Sequence, residues 1–189
     1  MAQRPPSCDQ KKASACRGVV LFEDEASFWL DGTLHRTWSP VGVQPRVDTY
    51  GARKTAHVFG AVALDNARSF FQFADVFNGK TFRLYLEWLL KHYPRRKVFL
   101  VIDNGPCHNL DEDGVVWLRA NRHRIELYRL PPYSPEFNPV EGVWKATRRL
   151  TTHNRFYKTT WSRDIALSYT FARFHHDPSL IQAHVERFR

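Results

Sequence analysis

Residues 98–102 constrain the fold more than any other part of the sequence. They read Val-Phe-Leu-Val-Ile, and the turn sequence Asp103-Asn104-Gly105 follows directly. A half-exposed strand alternates apolar with polar residues, whereas an unbroken apolar run is typical of a strand covered on both faces. The run therefore predicts a buried central strand in a sheet that has helices packed against it.

The segments around this run predict a mixed α/β fold. Upstream lie an apolar strand at 18–22 and the two arms of a hairpin at 57–64 and 69–76, which flank the turn residues Asp65-Asn66. The remaining predicted elements are a strand and turn at 35–42, a strand at 125–130, helices at 80–93, 112–121, 138–150 and 162–174, and a final turn or helix at 178–188. An antiparallel meander of three strands, followed by helices that alternate with two further strands, implies a mixed sheet flanked by helices.

The length of 189 residues suits one domain with short appendages. Residues 1–16 are polar and rich in helix breakers, which predicts a flexible N-terminal tail. The α/β domain is expected at 17–150, and a helical extension at 151–189. The sequence has no signal-peptide core and no apolar run of the ~18 residues that a membrane span needs. We therefore expect a cytoplasmic protein without a membrane partner.

The charge of the chain indicates a polyanionic partner. Lys and Arg number 28 against 19 Asp and Glu, which gives a formal charge of +9 and a sequence pI near 9.7. Nucleic acid is the simplest partner for such a chain, although a basic surface can also serve solubility alone. The three cysteines form no CxxC pair, which argues against a structural zinc site and fits a reducing compartment.

The stretch 130–144 joins a proline-dense loop to the start of a helix. Asn138 stands at the expected N-cap, Pro139 at the first helical position and Glu141 in the first turn. One interpretation is structural, since Asn138 and Glu141 have the spacing of a capping box. The other is that Glu141 holds a divalent metal ion together with carboxylates from elsewhere in the chain.

Two aspartates are candidates to bind a metal ion together with Glu141. Asp24 ends the first predicted strand and Asp103 ends the central one, and ligands of open sheets bind beyond strand ends. Taken singly, Asp24 also suits a solvated acidic cluster and Asp103 also suits a turn. Strand side chains alternate, so Asp24 points away from Glu23 and Glu25 and is the predicted ligand among the three.

Four motifs together resemble the catalytic domain of a DDE superfamily transposase, in the bacterial insertion-sequence group related to mariner-like elements. The motifs are Phe22-Glu-Asp-Glu25, Thr37-Trp-Ser-Pro-Val-Gly42, Val101-Ile-Asp-Asn-Gly-Pro-Cys-His108 and Leu130-Pro-Pro-Tyr-Ser-Pro-Glu-Phe-Asn-Pro-Val-Glu-Gly-Val-Trp-Lys145. The resemblance covers about residues 17–150 and implies a ribonuclease-H-like fold. It places the catalytic and metal-binding triad on Asp24, Asp103 and Glu141. The 38 positions from Asp103 to Glu141 slightly exceed the family's usual interval, so the connection between them is expected to be extended.

The resemblance implies metal-dependent cleavage of DNA strands followed by strand transfer. Two Mg²⁺ or Mn²⁺ ions are expected, because two ions ~3.5–4 Å apart can stabilise both the attacking and the leaving oxygen. Without metal, the three carboxylates are expected to raise one another's pKa values. Two alternatives stay open: a nuclease of the same fold that does not join strands, and a catalytically silent remnant that only binds DNA or a partner transposase.

Several basic residues are candidates to contact DNA: Lys145, Arg148, His108, Arg46, Arg53 and Lys54. Lys145 and Arg148 follow Glu141 on one helix face, where an ordinary Glu–Lys pair is an equal alternative. His108 also suits a structural role in its loop, and Trp38 suits the core as well as a partner contact. The family's N-terminal helix-turn-helix region has no room before Asp24. We therefore expect a split-gene product, truncated copy or fragment that works with DNA, and with a homodimer partner or a separate helix-turn-helix subunit.

Overall fold

Five strands form one mixed sheet in the order β3-β2-β1-β4-β5. This computed structural model describes residues 18–51, 54–132 and 134–188. The strands are β1 (Val19–Trp29), β2 (Thr55–Ala63), β3 (Ser69–Ala74), β4 (Val98–Ile102) and β5 (Ile125–Arg129). β2 runs antiparallel to both β1 and β3, whereas β4 and β5 run parallel to β1. The predicted meander with two further strands is therefore present, and β4 is buried along its whole length.

Helices cover both faces of the sheet. They are α1 (Gly79–Lys91), α2 (Glu112–Ala120), α3 (Val140–Thr147), α4 (Thr160–His176) and α5 (Ser179–Glu186), with 3₁₀ turns at Pro106–His108 and Pro135–Phe137. A π-helical turn, Arg148–Thr152, continues α3. Asn78 caps α1 through a capping box with Thr81. None of the helices described is both long and apolar enough to cross a membrane.

The side chains of β1 alternate between two hydrophobic cores. Odd-numbered residues such as Leu21 pack with Phe82 and Leu86 of α1. Even-numbered residues such as Phe28 pack with Trp144 of α3 and with apolar side chains from α4 and α5. Asp24 therefore lies on the α3 side of the sheet, and its two acidic neighbours lie on the α1 side.

Two sequence predictions about this region need correction. β1 does not end near residue 22, because residues 21–29 pair with β2 and carry the strand through all three acidic positions. Residues 35–42 form no strand, and Trp38 is fully exposed, so it belongs to no core in this chain. Residues 33–46 form an exposed arm rather than a further strand. The predicted tail 1–16 lies outside the described residues.

The C-terminal helices belong to the same packing as the sheet. Phe171, Phe174, Ile181 and Val185 are buried, and they share one hydrophobic core with β1 and α3. The helices predicted after residue 150 are therefore present. They complete the cover of one sheet face instead of forming a separate layer.

Candidate active site

Asp24 and its acidic neighbours point to opposite sides of the sheet, as strand alternation requires. Trp144 of α3 donates its Nε1–H to Asp24 Oδ2 over 3.1 Å. On the other side, His108 Nε2 lies 2.9 Å from Glu23 Oε2. Glu25 accepts a hydrogen bond from the Cys107 thiol. The three consecutive carboxylates therefore face two different environments.

Asp103 serves both the turn after β4 and the acidic site. Its Oδ1 accepts the Gly105 backbone N–H over 2.6 Å, which is the turn role that the sequence suggested. The same oxygen lies 2.9 Å from His108 Nδ1. Asn104 fixes the turn further, because its side chain donates to the Leu130 carbonyl at the end of β5 over 2.8 Å. The hydrogen bond of the turn thus orients the Asp103 carboxylate, and a turn role and a metal-binding role for Asp103 are compatible.

Glu141 stands in the first turn of α3, but the capping box is not formed. Pro139 occupies the N-cap position, without a side-chain cap bond. Asn138 instead accepts from Val140 N over 3.1 Å and donates to the Glu23 carbonyl over 3.0 Å. This buried amide ties the start of α3 to the acidic part of β1. The Glu141 carboxylate is consequently not used as a cap.

One pocket of about 250 Å³ brings the three predicted carboxylates together. Its lining residues are Asp24, Asp103, Asn104, Leu130, Pro131, Ser134, Asn138 and Glu141. Oxygen atoms of Asp24, Glu25 and Asp103 also lie within 4.8 Å of one another. Glu25, which strand alternation set aside as a ligand, therefore also has an oxygen near Asp24 and Asp103.

His108 is buried inside a cage of carboxylates. Its ring nitrogens approach Glu23, Glu25 and Asp103 at 2.9, 3.3 and 2.9 Å. Burial alone would lower the pKa of His108, but hydrogen bonds to Asp103, Cys107 and Glu23 raise this pKa to about 12. The ring is therefore cationic at neutral pH and has no exposed surface for DNA. The prediction that His108 contacts DNA does not agree with this position, whereas the structural alternative does.

The environment of Asp24 is short of positive charge. Burial, followed by repulsion from Glu23, Glu25 and Glu141, raises the pKa of Asp24 to about 8. Burial likewise raises the pKa of Glu23 to about 7. Asp103 differs, because its bond to His108 lowers its pKa. Oxygen donors that converge in this way fit a hard divalent cation, which would relieve the repulsion at Asp24.

The other basic candidates have different surroundings. Lys145 is exposed one helical turn after Glu141, while the Arg148 guanidinium lies over the buried Phe28 ring at 5.5 Å from its centroid. Arg46 and Lys54 are exposed in or next to the arm between β1 and β2. The Lys54 carbonyl accepts the Leu30 backbone N–H just beyond the Trp29–Thr55 pair, so Lys54 lies ~20 Å along β1 from Asp24. Arg53 lies outside the described residues.

Comparison with known proteins identifies the family. The sequence pattern of the DDE superfamily endonucleases matches residues 19–161, about three quarters of the chain. The chain belongs to the DDE superfamily endonuclease family. This family member is also 28% identical over 167 residues to the insertion element IS630 uncharacterized 39 kDa protein of Shigella sonnei. That match covers 84% of this chain and 48% of the relative, so the chain spans about half the length of the relative.

Solved structures of other proteins share the fold of this family member. The mariner Mos1 paired-end complex with Mg superposes with a TM-score of 0.65 at 15% identity, over 96% of this chain and 56% of that one. The catalytic core domain of BIV integrase gives a TM-score of 0.51 at 14% identity, over 84% of each chain. The ribonuclease-H-like fold predicted from the sequence is thus confirmed, as is the superfamily.

Proposed function

We propose that this chain is the catalytic domain of a transposase that cuts DNA strands and joins them to a target. One observation carries the proposal: carboxylates from β1, from the turn after β4 and from the first turn of α3 line a single pocket. Each comes from a separate part of the sequence, and each is held by its own hydrogen bonds or helix position. Membership of the DDE superfamily endonucleases supports the same chemistry.

We assign the metal-binding triad to Asp24, Asp103 and Glu141 rather than to a set that includes Glu25. Glu25 is engaged by the Cys107 thiol and lies 3.3 Å from the cationic His108 ring. Asp24 is hydrogen-bonded by the neutral Trp144 indole, so its charge is left uncompensated, and Glu141 repels it from the same side of the sheet. We therefore propose that a cation is held by Asp24, Asp103 and Glu141, which line one pocket.

Two Mg²⁺ or Mn²⁺ ions fit these residues. When bound, such ions activate an attacking oxygen and stabilise the leaving oxygen of a phosphodiester. Complexes of Mos1 with Mg and with Mn support a divalent ion here, and the number of ions is part of the proposal. The Trp144 indole orients Asp24, and the turn bond to Gly105 orients Asp103, before any ion arrives.

The rest of the proposal concerns what the chain works with. DNA is the proposed substrate, since the chain carries a formal charge of +9 and folds like Mos1, which was solved bound to a transposon end. We further propose a homodimer and a separate helix-turn-helix subunit or region, because the relative is about twice as long as this chain. A cytoplasmic location on bacterial DNA agrees with the bacterial source of that relative.

A nicking and strand-transfer assay with supercoiled plasmid, labelled element ends and Mn²⁺ tests the function. We expect Asp24→Asn to lower both activities by at least about 10²-fold, because it removes a charge that holds the metal. Glu25→Gln is the matched control one residue away, and we expect it to retain most activity. Equal losses of activity in Asp24→Asn and Glu25→Gln would contradict the assignment of Asp24, rather than Glu25, as the metal ligand. If the wild-type protein nicks DNA but forms no joined product, the nuclease alternative is favoured. If it shows no metal-dependent cleavage, the alternative of a catalytically silent DNA-binding remnant is favoured.

A further inference from the structure

A second cleft, of about 730 Å³, lies farther along α3 from the acidic pocket. We call it the basic groove and define it by four cationic residues that line it: Arg36, Lys145, Arg149 and Arg155. Among the described residues that line this groove, none is acidic. The groove is therefore a concave surface with uncompensated positive charge, which concentrates anions.

The two walls of the basic groove are fixed to each other. One wall comes from the arm after β1, and the other from α3, its π-helical turn and the residues that follow that turn. Asn154 bonds both the backbone N–H and the carbonyl of His35, each over 2.8 Å, and Thr33 Oγ1 lies 2.7 Å from His153 Nδ1. The His35 and His153 rings stack at 4.7 Å. These bonds hold the walls in place without a ligand, so little ordering is required when one binds.

Gly32 allows the close approach of these walls. A side chain at this position would collide with the backbone carbonyls of Thr152 and Arg155. The arm can pass this near to the second wall only because residue 32 has no Cβ. The groove is thus formed by the backbone of the fold and not by a chance meeting of long side chains.

The electrostatic effect of the groove is visible on two histidines that line it. Burial, together with the nearby charges of His35 and Arg148, lowers the pKa of His153. Burial and then the charges of Arg187, Arg149 and Lys145 lower the pKa of His184. Burial is the larger cause of both shifts, and the nearby cations lower the pKa values in the same direction.

The groove lies close to the acidic pocket on one helix. At 1.5 Å of rise per residue, Lys145 is about 6 Å and Arg149 about 12 Å from Glu141 along the helix axis. The phosphates of one DNA strand advance 3.4 Å per nucleotide, so this distance corresponds to about two to four nucleotides. A strand whose phosphodiester reaches the acidic pocket can place its neighbouring phosphates in the basic groove.

We propose that the basic groove binds backbone phosphates of duplex DNA a few nucleotides from the cleaved bond. The inference rests on the proposed function, which supplies DNA as the ligand. Arginine is suited to this task, because its guanidinium binds phosphate oxygens in a bidentate manner. The contacts carry no base recognition, so the groove positions the strand regardless of sequence. Lys145, a DNA-contact candidate from the sequence, lines the groove, and the second cation from this helix is Arg149 rather than the candidate Arg148.

Charge reversal on both walls tests the proposal. We compare Arg36→Glu/Arg149→Glu with the control Arg119→Glu/Arg122→Glu, which changes the net charge equally. The control arginines are exposed at the end of α2 and in the turn before β5, and β5 begins beside the start of β4, remote from Asp103. Fluorescence anisotropy with a labelled 30-bp duplex in EDTA gives the affinity between 50 and 300 mM salt. We expect the groove variant to bind at least about tenfold more weakly, with a salt slope reduced by about 2, while the control keeps the wild-type slope.

A milder variant separates loss of contact from loss of fold. Arg36→Gln/Arg149→Gln removes the same two charges without repulsion, and we expect it to show the reduced slope with a wild-type melting temperature. Equal affinity losses in the groove variant and the control would overturn the proposal, because only net charge would then matter. Unchanged DNA affinity in the groove variant would also overturn it and leave a site for free phosphate or an acidic protein.

The outcome is distinguishable from that of the proposed function. Binding is read in EDTA, where no cleavage takes place, and the triad is tested in Mn²⁺ by the nicking assay. A protein that never cleaves DNA yet loses its salt slope with the groove variant supports the groove and contradicts the transposase. A protein whose cleavage depends on Asp24, but whose DNA binding ignores the groove, supports the transposase and contradicts the groove.

Discussion

Asp24 and Asp103 acquire opposite properties within one pocket. Mutual repulsion predicts a raised pKa for both, which is correct for Asp24 and wrong for Asp103. The difference comes largely from His108, whose cationic ring lies 2.9 Å from Asp103, whereas Asp24 is hydrogen-bonded by the neutral Trp144 indole. The sequence places His108 near Asp103 along the chain, but it does not show that a 3₁₀ turn aims the ring at β1.

Replacing each aspartate by asparagine separates the two environments. Asp24→Asn removes a carboxyl group whose ionisation is opposed in the folded state, while an amide oxygen can still accept from Trp144, so we expect it to melt at least about 2 °C above wild type in EDTA. Asp103→Asn removes a charge that His108 stabilises, so we expect it to melt below wild type. Wild type should gain from Mn²⁺ as RT ln(1 + [L]/Kd), about 2.7 kcal/mol at a hundredfold excess over Kd. Both variants should gain much less.

Thermal melts in EDTA and in Mn²⁺ measure all of these changes. Lys91→Gln, an exposed substitution at the end of α1, is a control that should shift with Mn²⁺ as wild type does. A full Mn²⁺ shift in Asp103→Asn would remove Asp103 from the metal site. A lower melting temperature of Asp24→Asn in EDTA would contradict the view that the empty pocket is strained at Asp24.

At the scale of elements, the site depends on how closely α3 lies against β1 and β2. Gly60 pairs with Asp24 across the two strands, and a side chain at Gly60 would collide with the Trp144 indole. The helix can therefore bring its tryptophan to Asp24 only over a strand position without Cβ. The sequence indicated that Trp144 is on the packed face of its helix, but not which strand residue makes room for it, because that depends on strand register.

Gly60→Ala should therefore destabilise the fold by overpacking, by about 1–3 kcal/mol. Trp144→Phe deletes the indole atoms that a new methyl group would meet, so the same Gly60→Ala change should cost clearly less in that background. Urea denaturation of the two single variants, the double variant and wild type gives the coupling free energy. Additive costs would show that the collision is relieved elsewhere and that Gly60 does not position α3.

The predicted elements succeed or fail for identifiable reasons. The sequence predicts strands β2 to β5 because each of them is an apolar run that ends in turn residues. β1 was cut short because the sequence becomes acidic at residue 23, although pairing with β2 and contact with His108 keep those carboxylates within the strand. The predicted strand at 35–42 failed because apolar residues such as Trp38 are exposed there, and local pattern does not reveal exposure. Long-range pairing was the missing information in both cases.

At the scale of the whole molecule, negative and positive side chains are gathered in two neighbouring clefts, and the apolar side chains of α4 and α5 are buried in the core. Carboxylates converge in one pocket, four cationic residues line the neighbouring groove, and the two share helix α3. Behind this surface, α4 and α5 cover the sheet with side chains that enter the core of β1 and α3. The boundary predicted at residue 150 stays a prediction, although buried side chains on both sides of it share one hydrophobic core.

A pair of alanine substitutions on α4 tests how far the C-terminal segment belongs to the domain. Phe174 is 0% exposed and Tyr169 is 67% exposed on the same helix. If α4 is part of the core, Phe174→Ala should cost about 3–5 kcal/mol, with one cooperative urea transition, because it removes a buried ring and leaves a cavity. Tyr169→Ala should stay within about 0.5 kcal/mol of wild type. A Phe174→Ala variant that keeps the wild-type midpoint, or that shows a separate early transition, would assign residues 151–189 to an extension that folds independently of the catalytic sheet.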